Sequence, residues 1–150
     1  MEVIEFEIYN NSIQERYAFD IKYINEVFKN KKATNLPCTP AFIIGIVNYR
    51  GKILSVVDIR NFLGFTTMSK KINELKEVII VRAEDLEFGI AADRILGYYS
   101  IEHDEIQQNV LTITDEKKDF FVGVSRKGTI VLNIKNIILS DRIIIDGTVV

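Results

Sequence analysis

Apolar and polar positions alternate in period two at the start of the chain: Ile4, Phe6 and Ile8 fall on one side and Glu5 and Glu7 on the other. In period two this is a half-buried strand with its carboxylates turned to solvent. Asn10-Asn11-Ser12 has turn composition, and Tyr17, Phe19 and Ile21 resume the alternation, so the first two strands form a hairpin. Residues 23–28 read as a short helical turn running into a third strand at 26–28. The connector 29–35 is polar and basic, and Pro37 and Pro40, the only prolines, hold 36–40 extended. One helical turn is expected at 41–44.

The densest β-branched runs come next, at Ile43–Tyr49 and Lys52–Val57, split by Arg50-Gly51. Gly51 supplies the positive φ of a tight connection, which predicts a second hairpin. Asp58 has the chemistry of a helix N-cap and Gly64, six residues on, that of a left-handed C′ residue, so a short capped helix follows. Residues 66–74 are polar and form the best boundary between two halves. Beyond it, 77–82 and 86–91 predict a hairpin around Ala83-Glu84-Asp85, and 94–101 a strand bent or bulged at Gly97. The 106–114 stretch is ambiguous, 120–125 and 129–134 form a hairpin at Arg126-Lys127-Gly128, and 134–139 suits a closing helix. Residues 142–145 read equally as a strand or a tail. Many short strands and few helical windows point to an all-β fold with a few short helices, a barrel or sandwich rather than an α/β sheet. No internal repeat stands out, although each half carries an X-Gly hairpin.

The chain has 150 residues, 47% of them hydrophobic, enough for one medium domain or two small packed ones. Its 19 basic and 21 acidic residues are spread along the sequence, without the basic stripe that phosphate neutralisation needs, so nucleic acid is not an expected partner. Cys38, the single cysteine, excludes an intrachain disulfide and suits a reducing compartment. Between Pro37 and Thr39 it reads as a small, partly buried side chain rather than a reactive thiolate. The N-terminus lacks the basic segment and apolar run of a signal peptide, and no stretch approaches a membrane helix, so an intracellular chain is expected.

Candidate chemistry is thin. His103, the only histidine, lies among Glu102, Asp104 and Glu105 with no second histidine or cysteine nearby, the pattern of a solvated loop. Gly51-Lys52 lacks the glycine spacing of a P-loop. Asp20, Glu26, Asp58, Glu87 and Asp93 stand near strand ends, where paired acids could work as general acid and base, but caps, turns and exposed faces account for each. No catalytic residue, metal site or cofactor is assigned, and a binding or scaffolding module is expected. The alternative is a small ligand-binding or carboxylate-hydrolase barrel.

The segment from Asn48 to Gly64, Asn-Tyr-Arg-Gly-Lys-Ile-Leu-Ser-Val-Val-Asp-Ile-Arg-Asn-Phe-Leu-Gly, resembles the signature hairpin of the CheW family, the bacterial chemotaxis coupling proteins. Tyr17 to Ile21, Ile24 to Phe28, Pro40 to Gly45, Val78 to Val81, Phe88 to Ile95, Phe121 to Val124 and Ile130 to Ile134 follow in that family's order. The resemblance implies two packed five-stranded SH3-like β-barrels within one domain over 1–150, with approximate subdomains 1–70 and 71–135, the C-terminal residues being candidates to pack on the first. It implies a non-catalytic chemotaxis adaptor, cytoplasmic at membrane-associated receptor arrays, that couples the tip of methyl-accepting chemoreceptors to the regulatory domain of the histidine kinase CheA. A related module of another sensory pathway is the alternative. By the same resemblance Glu26 and Arg50 form an ion pair shaping a receptor groove between the barrels, with Val27, Asn48, Gly51 and Val57 as contact surface. Gly89, Ala91, Ala92, Asp93 and Arg94 are the expected kinase contact. The chain departs from the family's pattern at Ser55, where proline is common, at Tyr49, where leucine is common, and at Asn133, where an acid is common.

Overall fold

The computed structural model describes residues 1–68, 70–108, 113–145 and 148–149. In chain order the elements are β1 (Glu2–Asn10), β2 (Ile13–Asp20), β3 (Ile24–Lys29), β4 (Ile43–Tyr49), β5 (Lys52–Val57), α1 (Ile59–Phe62), β6 (Glu77–Ala83), β7 (Leu86–Ala92), β8 (Arg94–Ser100), β9 (Ile106–Gln107), β10 (Phe121–Ser125), β11 (Ile130–Leu132), α2 (Ile134–Ile138), β12 (Ile144–Ile145) and β13 (Thr148–Val149). The fold is mostly β, as expected. Several boundaries differ from the sequence reading for local reasons. The helical turn expected from residue 23 is a 3-10 turn over Ile21–Tyr23, nucleated by the Asp20 carboxylate accepting from Lys22 N at 3.0 Å, and β3 begins directly after it. Residues 41–44 are not helical: Ile43 N donates to Pro40 O and Asp58 N to Phe42 O, which starts β4 at Ile43. Part of the ambiguous 106–114 stretch becomes β9, while 109–112 lie outside the described residues, as do 146, 147 and 150 of the tail.

The chain divides into two compact units, and the division is interleaved rather than consecutive. One unit comprises Met1–Tyr23 with Asp93–Ile137, the other Ile24–Ala92 with Ile138–Val150. The expected boundary at 66–74 falls inside the second unit because β3, before it, pairs with β6, after it. The C-terminal residues from Ile138 belong to the unit of the central hairpin.

Both units are built on one strand plan. In the second unit the sheet order is β3-β6-β7-β5-β4, antiparallel except for the parallel β7–β5 pair. In the first it is β8-β1-β2-β11-β10-β9, antiparallel except for the parallel β2–β11 pair. The first unit therefore repeats the second with its two final strands taken from the N-terminal end of the chain. The two-residue β9 matches the isolated bridge of Thr34 to Ile46, which flanks β4 in the same way.

The repeat is written in the sequence at the places where the backbone is tightest. Phe42-Ile43-Ile44-Gly45-Ile46 corresponds to Phe120-Phe121-Val122-Gly123-Val124, and Val56-Val57-Asp58-Ile59-Arg60-Asn61 to Val131-Leu132-Asn133-Ile134-Lys135-Asn136. A Cβ on Gly45 would stand 2.6 Å from the carbonyl oxygen of Thr34, and one on Gly123 2.5 Å from that of Gln107. Each glycine is thus required by a crossing strand. Asp58 N donates to Phe42 O at 2.7 Å, and Asn133 N to Phe120 O at 2.9 Å. Both cap side chains then open a short helix: Asp58 Oδ1 accepts from Arg60 N and Asn61 N, and Asn133 Oδ1 from Asn136 N. α1 closes with Gly64 at φ 81, Gly64 N donating to Asn61 O and Phe65 N to Arg60 O, the two bonds of a Schellman motif.

Cores follow from the plan. In the second unit Ile44, Val47, Tyr49, Leu54, Val56, Val78, Ile80 and Ala91 form one buried cluster, joined by Phe28, Ala33, Ile72 and Leu75. In the first, Val3, Ala18, Ile101, Ile106 and Val131 cluster, and Phe6 stacks on Tyr17 at 5.8 Å and meets Phe19 edge-on. β1 departs from its expected half-buried pattern, since Phe6, Glu7 and Ile8 are buried in succession and both of its faces are covered. Glu7 is buried, its Oε1 3.1 Å from Arg94 Nε. Glu5 Oε2 accepts from Thr129 Oγ1 at 2.6 Å and from Tyr99 Oη at 3.1 Å, and burial together with the Glu5 charge pushes the Tyr99 phenol up to about 12. The tail docks on its own unit: Arg142 lies 4.3 Å from the Phe62 ring centroid, donates to Phe62 O, and burial lowers its pKa.

Burial raises the Asp58 carboxyl above the usual range, against the Asn61 N–H and the Lys70 charge, which pull it down. An ionised Asp58 therefore costs the native state free energy at neutral pH, and the cost disappears as the pH falls and the native state takes up the proton. Asp58→Asn keeps the acceptor and removes the charge, as Asn133 does at the equivalent cap. Its stability relative to the parent should rise from about pH 3 to pH 7 in denaturant titrations, whereas Asp58→Ala should lose about 1 kcal/mol. A difference for Asp58→Asn that is flat across that range contradicts the assignment.

Candidate functional site

The tip of the β4–β5 hairpin holds a long charged side chain in a left-handed turn. A two-residue connection joins Tyr49 to Lys52, with Arg50 at φ 51 and Gly51 at φ 79. Positive φ at both central positions is a type I′ turn, which favours Asn-Gly. Gly51 meets the requirement at no cost, but a branched-out guanidinium side chain on a left-handed Arg50 does not. Asn48 helps to hold the turn, its Oδ1 accepting from Gly51 N at 3.2 Å. The sequence reading identified the glycine's role and missed that Arg50 shares the same conformation.

β3 and β4 are the two ends of the sheet order, yet their side chains meet. Phe28 touches Tyr49 edge-on at 5.6 Å, and Arg50 Nη2 stands 4.0 Å from Glu26 Oε2. The sheet has curled into a barrel whose seam carries both expected partner residues. Tyr49, at a departure from the family's pattern, is also a platform for Arg50, whose guanidinium carbon lies 5.4 Å from the ring centroid. With side chains 74% and 37% exposed, the Arg50–Glu26 pair contributes at most about 0.5 kcal/mol. Its two charges are available to a partner at little cost.

A second ionic group borders the first and was not anticipated. The Glu87 carboxylate, nearly buried, accepts from Asn25 Nδ2 at 2.5 Å and pairs with Lys52 Nζ at 3.3 Å, tying β3, β5 and β7 together. Beside Lys52, Ile53 is 63% exposed. The strict alternation of Lys52, Ile53 and Leu54 was the signal: with Leu54 in the core, Ile53 has to face outward.

Burial divides the remaining expected site residues. Val27 is half-buried, and Asn48 and Gly51 are exposed beside Arg50. Val57 is fully buried. Gly89, Ala91 and Ala92 are buried in β7, the middle strand of its sheet, and Gly89 is needed there because a Cβ would stand 2.6 Å from Val78 Cγ1. Asp93 and Arg94 reach the surface but have internal partners, Asp93 Oδ2 accepting from Tyr9 N at 2.7 Å and Arg94 pairing with Glu7.

The candidate chemical groups do not converge. Asp20 and Asp58 cap turns, Asp93 holds β1, Glu87 knits the barrel, and Glu26 faces Arg50. His103 is exposed in a 3-10 turn. Cys38 is exposed rather than partly buried, in a turn where its φ is 62. Among the described residues no group of three or more His, Cys, Asp and Glu side chains could hold a metal ion, and no helix is long and apolar enough to cross a membrane.

Two small barrels with an exposed ionic seam define a β-barrel interaction module, and comparison with known proteins places it. The family described as CheW-like domain matches residues 11–141. The chain is 32% identical over 127 residues to the chemotaxis protein CheW of Thermotoga maritima, covering 84% of this chain and 78% of that one. It is 30% identical over 135 residues to the chemotaxis protein CheW of Treponema pallidum, covering 87% and 79%. The crystal structure of the scaffolding protein TtCheW from Thermoanaerobacter tengcongensis superposes with a TM-score of 0.69 at 26% identity, over 99% of this chain and 96% of that one. The chain belongs to the CheW family, a family of chemotaxis adaptors and scaffolds, and its two-barrel fold is that of the family.

The left-handed Arg50 makes a stability prediction. Arg50→Asn should raise the unfolding free energy by about 0.5–1 kcal/mol in urea titrations, since Asn adopts the turn more readily and the lost ion pair is weak. A loss of stability would mean that Arg50 is retained for the fold.

Proposed function

We propose that the chain couples the cytoplasmic tip of methyl-accepting chemoreceptors to the regulatory domain of the kinase CheA, without catalysing a reaction itself. It would work in the cytoplasm, at membrane-associated receptor arrays. The observation that carries the receptor side is the hairpin tip, where an arginine is kept in a conformation that a turn alone would give to asparagine, with its charge exposed beside Glu26. A bidentate guanidinium and a facing carboxylate suit one face of a helical receptor tip, and Val27, half-buried, follows Glu26 in β3. Asn48 and Gly51 fix the tip's geometry. For the kinase contact the accessible part of the expected set is Asp93 and Arg94. Their internal bonds to Tyr9 and Glu7 make them a held, oriented pair of charges at the start of β8. A non-catalytic role is supported by the dispersal of the acidic side chains, each of which has a structural partner.

The test is sedimentation of the full chain with a chemoreceptor signalling fragment and a CheA regulatory domain, separately and together. The parent should co-sediment saturably with both. Arg50→Glu should lose at least about tenfold in receptor affinity while keeping the kinase domain and its circular dichroism melt, because truncating or reversing a contact charge costs 2 kcal/mol or more at a docked interface, as an order of magnitude. Unchanged receptor affinity in that variant would remove Arg50 from the contact.

A further inference from the structure

The segments 29–36 and 70–76 run side by side in the unit of the central hairpin. Asn30 N donates to Lys76 O at 2.7 Å, and Ala33, Ile72 and Leu75 pack on the same apolar cluster. Between them the two segments carry Lys29, Lys31, Lys32, Lys70, Lys71 and Lys76 but only one carboxylate, Glu74, whose Oε1 accepts from Lys71 N. In a chain of net charge −2 this concentrates positive charge on two adjoining segments. It borders a cavity of about 520 Å³. Leu36, Pro40, Ile43 and Ile72 supply its apolar wall, Lys70 and Lys71 are the charged residues that line it, and Cys38 stands at its exposed side. Leu36 is 39% exposed there.

We propose that this groove docks an acidic peptide segment of a partner protein, seating one aliphatic or aromatic side chain in the cavity and placing its carboxylates against the lysines. A cavity of this volume accommodates one or two side chains, and the six lysines of the two bordering segments, of which Lys70 also acts on the Asp58 carboxylate, favour an anionic partner. A concave apolar wall suits a protruding side chain, whereas binding to a lipid surface calls for apolar side chains that project outward. The groove shares no residue with the Arg50 and Glu26 face, so the two surfaces can be occupied by different partners.

The probe is a fluorescein-labelled, amidated peptide with a central Leu-Phe pair flanked by three glutamates on each side, titrated into the full chain and read by anisotropy. Saturable binding is expected, about tenfold weaker at 0.5 M than at 0.05 M salt and about tenfold weaker in Lys32→Glu/Lys71→Glu. Because Cys38 is the only cysteine, its alkylation by N-ethylmaleimide, followed by mass spectrometry, reports occupancy directly, and saturating peptide should slow it several-fold. The double variant should keep its melting curve and its binding to the receptor fragment, which separates this surface from the hairpin tip. Absence of saturable binding, indifference to the charge reversal, or unprotected Cys38 overturns the proposal. Pelleting with phosphatidylglycerol vesicles without peptide binding also overturns it, and assigns the face to a lipid surface.

Discussion

A hairpin closed by two residues has no freedom of register, and the remainder of its unit is set by that constraint. With Tyr49 opposite Lys52, the pairs Asn48–Ile53, Val47–Leu54 and Ile46–Ser55 follow without choice. That register leaves Ser55 in the ladder as an ordinary paired residue and puts Gly45 under the carbonyl of Thr34. It also ends β5 where Asp58 N can reach Phe42 O and the Asp58 side chain can open α1. A slip of one residue would turn Val47, Leu54 and Val56 away from the cluster on which Phe28 and Ile72 pack.

The same strand plan is used twice, and this explains both what was legible in the sequence and what was not. The central hairpin, the Asp58 cap and the Gly64 terminator are written in contiguous residues, so local chemistry is enough to read them. The interleaving of the units is not local, since the partners of β1 and β2 are β8 and β11, roughly a hundred residues away, and no periodicity marks a strand's distant neighbour. The repeat itself was present as F-x-x-G and as Val-Val-Asp-Ile-Arg-Asn against Val-Leu-Asn-Ile-Lys-Asn. It was obscured because the second hairpin is shorter and the repeated strands occur in a different chain order. Glu5 and Glu7 show the limit of alternation from the other side: period two separates faces, but it does not say whether a face will be covered, and on β1 both are.

For the site, sequence and structure agree on the residue types and differ on reach. Glu26 and Arg50, distant in sequence, do meet, because barrel closure brings β3 to the hairpin tip. Val57, Gly89, Ala91 and Ala92 lie in the same conspicuous segments but are buried, the last three in the central strand of their sheet. A family likeness carries whole motifs, and a motif mixes residues that build the barrel with residues that the barrel presents. The weak, exposed Arg50–Glu26 pair belongs to the second kind and the half-hidden Asn25–Glu87–Lys52 group to the first, a distinction that rests on burial and that composition does not contain.

The proposed receptor contact is the barrel seam at the hairpin tip. Amide chemical-shift mapping of the isotopically labelled full chain, titrated with the chemoreceptor signalling fragment, tests it most directly. The account predicts the largest perturbations at Glu26, Val27, Asn48, Arg50 and Gly51, with the amides of Gly89 to Ala92 little affected. Perturbations centred on β7 or on β8, with the hairpin tip unmoved, would contradict it.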